Sequence, residues 1–117
     1  MILDDIKTAL EAVKPRVYYG IVDASVKDTK WDYIVFNRLR RKTSQNKTGY
    51  SYYFAVHIIS ENFIPEDIDI EVTNKMLEID GMKLADLDGE YTYVQKPNTG
   101  ETVEMLTLYF VKARKAN

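Results

Sequence analysis

Cysteine is absent from the 117 residues, and histidine occurs once, at His57. The first absence excludes a disulfide framework, thiolate zinc sites and thiol nucleophiles, and it is compatible with a cytoplasmic protein. The second removes the common multi-histidine metal sites. No apolar stretch approaches the roughly 18 residues that cross a bilayer as a helix. The N-terminus, Met-Ile-Leu-Asp-Asp-Ile-Lys, lacks the basic start and long apolar run of a secretory signal. The expected protein is neither exported nor membrane-spanning. Strong net charge is lacking too: 16 Lys/Arg against 18 Asp/Glu give −2, so the molecule does not bind nucleic acid by bulk electrostatics.

Motifs of catalysis are equally scarce. There is no Gly-rich phosphate loop, nucleophile elbow or metal-binding helix signature. Glu66, Asp67, Asp69 and Glu71 crowd the first turns of an expected helix, where carboxylates serve capping and solvation. Asp86, Asp88 and Glu90 alternate like ligands of a calcium loop, but the downstream glutamate that such a loop requires is missing. His57 falls mid-strand, a place for a packed or edge histidine. No catalytic, cofactor or metal residues are expected, and the chain reads as a non-enzymatic protein that binds other subunits.

What is present is a pattern of short apolar and aromatic runs, enough for one domain spanning 1–117. Ile2, Leu3, Ile6, Leu10 and Val13 recur at helical spacing, predicting a helix over 2–14 ended by Pro15. Arg16 to Gly20 predicts a short strand, and 23–30 a polar surface loop. Residues 32–42 and 51–60 predict an antiparallel hairpin whose polar 43–50 tip is expected to be mobile. Pro65 and the acids after it predict a helix start. Ile64, Ile68, Val72, Met76 and Ile79 form its apolar stripe, and Gly81 its stop. Asp80-Gly81 is alternatively a tight hairpin turn. Tyr91 to Gln95 and Thr102 to Lys112 predict the last strands, joined through 96–100. The expected fold is α+β, ordered α-β-β-β-α-β-β, with a mixed, mainly antiparallel sheet and two helices on one face.

Two strands carry apolar residues on both sides. In the last, Leu106, Leu108 and Phe110 alternate with Met105, Tyr109 and Val111; in the third, Tyr52, Phe54, Val56 and Ile58 alternate with Tyr53, Ala55 and Ile59. Two helices cover one face. The other calls for a curled sheet or a neighbouring subunit, which makes Tyr53, Ile59, Met105, Tyr109 and Val111 interface candidates.

Charge is unevenly spread. Lys14 to Thr48 hold nine basic and three acidic residues, and Ser60 to Glu104 three basic and twelve acidic. Such a chain can present complementary faces to its own copies in a closed ring, or simply two solvated surfaces. Arg38, Arg40, Arg41, Lys42 and Lys47 gather at the hairpin end near Tyr50, Tyr52 and Tyr53. Alternation puts Arg38 and Arg40 on one strand face. Basic and aromatic residues together suit single-stranded nucleic acid, and equally a charged hairpin end making protein contacts.

The opening helix, Pro15-Arg16-Val17-Tyr18-Tyr19-Gly20 and Trp31-Asp32-Tyr33-Ile34-Val35-Phe36-Asn37, together with the closing run from Gly100 to Phe110, resemble the tail-terminator and tail-completion proteins of long-tailed bacteriophages and prophages. The resemblance implies a virion protein, made in the bacterial host's cytoplasm, that forms a ring, usually of six. Such a ring caps the tail tube protein and offers a surface to the head connector or stopper protein, with DNA passing through its channel. It carries no catalytic residues over. The head-completion and stopper rings are neighbouring readings of the same resemblance.

Overall fold

The computed structural model describes residues 2–20, 31–43, 49–86, 88–95 and 100–115. The expected 23–30 loop, the centre of the 43–50 tip with Lys47, and most of the 96–100 connection lie outside them. Helix α1 runs Ile2–Glu11, with Asp4 and Asp5 at its positive end. It is followed by β1 (Val17–Tyr19), β2 (Asp32–Thr43), β3 (Gly49–Glu61), α2 (Ile68–Leu77), β4 (Met82–Leu84), β5 (Glu90–Gln95) and β6 (Thr102–Lys115). The class is α+β, as the pattern of apolar runs predicts. One mixed sheet has the order β1-β2-β3-β6, and β4 and β5 share the outer edge of β6. Among the described residues only the β1–β2 pair is parallel.

Alternation along these strands separates two faces. One carries Ile34, Phe36, Phe54, Val56, Ile58, Leu106, Leu108 and Phe110, and it meets Ile6 and Leu10 of α1 and Val72 and Met76 of α2 in the main core. Phe54 stands directly opposite Phe110. Burying each such ring contributes about 1.5–3 kcal/mol, so this face dominates stability. Ile64, Ile68 and Ile79 pack against it, which accounts for the whole expected stripe of α2.

Several boundaries differ from expectation. Helix α1 ends at Glu11, because Ala12 and Val13 bond back to Ala9 and Leu10 three residues earlier, tightening the last turn. That turn delivers buried Lys14 to the Asp32 carboxylate and, at 3.3 Å, to Ser60 Oγ, tying the helix end to two strands. Pro65 does not open α2; it begins a turn, and Asp67, at φ 74°, precedes the first helical residue, Ile68. Gly81, at φ 81°, takes the left-handed conformation that swings the chain into β4, a strand absent from the expected order. Its three residues, Met-Lys-Leu, are too short to read as a strand and exist through pairing with Phe110–Lys112.

Candidate interaction surface

The face away from the helices has two ends. At one, Val35, Ile59 and Val103 form a small second core with Tyr18, Trp31, Tyr33 and Met105 packed against it. Thr92 and Val94 of β5 complete an open trough of about 430 Å³, whose walls are almost entirely apolar apart from His57. Tyr18 and Tyr33 meet edge to face at 5.6 Å, and burial, with Tyr18 adding to it, pushes the Tyr33 phenol pKa above its usual 10.0. Val94 is half exposed at the rim, whereas Val103 at the floor is 1 % exposed.

His57 sits where the trough meets the middle of the face. Its Nε2 lies 3.0 Å from Asn37 Oδ1 and its Nδ1 2.9 Å from Thr107 Oγ1. The Asn37 amide nitrogen donates to the Arg38 carbonyl at 3.2 Å, which leaves Oδ1 as the acceptor toward histidine. Nε2 therefore carries the hydrogen, and Nδ1 accepts from the Thr107 hydroxyl. Burial lowers the His57 pKa below 6.5, so the ring is neutral near pH 7. Both ring nitrogens are thereby engaged in a cross-strand row. Among the described residues no three His, Asp or Glu side chains are placed to hold a metal ion, and no helix is long and apolar enough to cross a membrane.

The five interface candidates share this face but divide between its ends. Ile59 and Met105 belong to the trough; Ile59 is buried, and Met105 is half-buried. Tyr53 and Tyr109 lie toward the other end, around a second depression of about 450 Å³ with Leu39, Arg40, Ala85, Asp86 and Glu90. Val111, opposite Tyr53 on β6, is half-buried. Trp31, Tyr33, Val35, Thr92 and Val94 join the trough although none of them is among the interface candidates. The alternation of Trp31, Tyr33 and Val35 with Ile34 and Phe36, and of Thr92 and Val94 with Tyr91 and Tyr93, is the signal that could have found them.

Beyond this end β2, β3 and β6 continue as a three-stranded arm, and the molecule is 52 Å long against 29 and 24 Å across. A bulge between Arg38 and Arg40 corrects the expected alternation. Arg38 pairs with Phe54 and Arg40 with Tyr53, so the two arginines lie on opposite faces, with Leu39 as the extra residue. The Arg40 guanidinium lies over the Tyr53 ring at 4.5 Å and that of Arg41 over Tyr50 at 4.7 Å. Arg38 Nε donates to Tyr19 Oη at 2.9 Å. Lys42 is exposed, opposite Ser51. The register also brings Lys112, Arg114 and Lys115 opposite Tyr52, Tyr50 and Gly49. Residues 38–53 and 111–115 thus hold eight of the sixteen basic residues and none of the eighteen acids. Sequence reasoning missed the C-terminal third of this cluster because it ended the last strand at Lys112.

Tyr50 and Tyr53 each offer a ring face to one of the chain's own arginines, and such stacking holds guanidinium groups with their N–H edges directed in plane, suited to carboxylates and phosphates alike. β5, the outer strand beside the trough, is exposed along all six residues, and Tyr93 there donates its hydroxyl to Glu104. That bond is the main cause of the upward shift of the Tyr93 pKa from 10.0. No protein-family model and no curated protein sequence matches this chain.

Proposed function

We propose that this chain is a structural assembly subunit without catalytic activity, forming a ring at the head-proximal end of a long-tailed phage tail. There it terminates the tail tube and joins it to the head connector. The observation that carries the assembly reading is the apolar trough on the helix-free face. A sheet covered by helices on one side and lined on the other by Trp31, Tyr33, Ile59, Val94 and Met105 gains by burying that side against protein. The placement in the phage tail rests on the likeness of the 15–20, 31–37 and 100–110 segments to tail-terminator proteins. Ring closure would create composite surfaces that a monomer lacks, one for the tube and one for the connector.

Deleting the reading frame from its phage or prophage tests this. Unjoined heads and tails, with tubes of unregulated length, are the expected products in negative-stain micrographs. Intact infectious particles from the deletion would overturn the reading. A second reading, nucleic-acid binding, is favoured by the seven basic residues at the arm's described positions. It predicts retention on single-stranded DNA that falls steeply with salt.

A further inference from the structure

We infer that the basic arm of one subunit docks, by its helix-free face, on the outer surface of α2 of a second copy of this chain. The inference deepens the self-assembly reading above and rests on it. Helix α2 buries Val72 and Met76, so Ile70, Asn74 and Leu77 point outward, with Glu71 and Glu78 alongside. Ile70 is 53 % exposed and Leu77 42 %, an unusual pair of aliphatic residues for the solvent side of a surface helix. Seven residues of helix rise separate them by about 10 Å.

The arm matches that stripe in sign and is broad enough to cover it. Arg40, Tyr53, Val111 and Lys83 stand in one row across β2, β3, β6 and β4, and four strands at normal spacing make that row about 14 Å wide. Leu39, exposed in the bulge, extends its apolar part. Arg40 and Lys42 lie on this same face, where they meet the glutamates of the neighbour's helix. Glu78 holds Lys75 at 3.5 Å in an exposed pair, which a guanidinium displaces at little cost. Arg40 points away from the face that carries its own α2, so the contact is between copies. The charge pattern fits the same pairing: outside the arm the chain holds eight basic residues against eighteen acidic ones. A contact between two different patches repeats head to tail, closing into a ring when the rotation allows.

The test is a charge swap read by light scattering and sedimentation, with circular dichroism confirming the fold. Arg40→Glu with Lys42→Glu should weaken association of the chain about a hundredfold or more, as lost interfacial charge pairs do. Glu71→Lys with Glu78→Lys should do the same. The fourfold variant carrying both changes restores opposite signs at every contact and should reassemble. If the wild type assembles but neither double variant weakens it, or the fourfold variant stays dissociated, the docking is overturned while self-assembly stands. If the arm variant loses only DNA retention, the arm serves nucleic acid and the docking is again wrong. A wild type that is monomeric at every concentration overturns both the docking and the self-assembly beneath it.

Discussion

Val94→Asp and Val103→Asp probe the trough from its rim and its floor, and the structure assigns them opposite outcomes. Full burial of a valine side chain is worth about 1.5–3 kcal/mol, and Val94 keeps half its surface in water, so its loss costs the monomer about 1 kcal/mol. A domain of this size has about 5–15 kcal/mol in hand and stays folded. Val103 is 1 % exposed, and a carboxylate there is desolvated without a partner at a cost of about 3–5 kcal/mol. That variant should melt far lower or fail to fold. In the assembly the rim is covered as well, so a carboxylate introduced there by Val94→Asp meets a similar penalty at each contact, and about 3 kcal/mol is more than a hundredfold in dissociation constant. Thermal melts followed by circular dichroism, with light scattering on the same samples, separate the two effects. A Val94→Asp protein that assembles like the wild type would refute the interface; one that unfolds would show the rim to be core.

Gly89 lies against β6, where an added Cβ would come within 3.0 Å of Leu106 Cδ1 and Leu108 Cδ2, both on buried side chains. Gly89→Ala should therefore destabilise by about 1–3 kcal/mol in urea titrations, and an unchanged midpoint would show that β5 simply shifts outward. His57 has a folded pKa below its unfolded value of 6.5, so the unfolded state takes up the proton more readily. Its contribution is complete above about pH 6.5 and is lost as pH falls through the folded value. Urea midpoints at about pH 7.5 and about pH 5 should differ less in His57→Gln than in the wild type, and equal differences would remove His57 as a cause.

The legible parts of the fold were those decided locally. The stripe from Ile64 to Ile79 and the alternation of Phe54, Val56 and Ile58 report burial directly, because periodicity follows from which side meets the core. The helix-free face was legible in the same way, through Ile59 and Met105. What escaped depends on distant pairing. The bulge at Leu39 arises from register against Tyr53 and Phe54, and it reverses the faces inferred for Arg38 and Arg40. The polar end of β6 is a strand because Gly49, Tyr50 and Ser51 lie opposite it, although Ala113-Arg114-Lys115 has no strand-forming character of its own. The parallel pairing of β1 with β2 is likewise a matter of register between Val17–Tyr19 and Ile34–Phe36, which three residues of strand former cannot announce.

The central claim is that this chain assembles with itself, and its mass in solution tests that most directly. Light scattering coupled to size exclusion, repeated over a wide range of protein concentration, should give one species of defined subunit number, six by the ring reading. A mass equal to one chain at every concentration and at low salt would contradict the account.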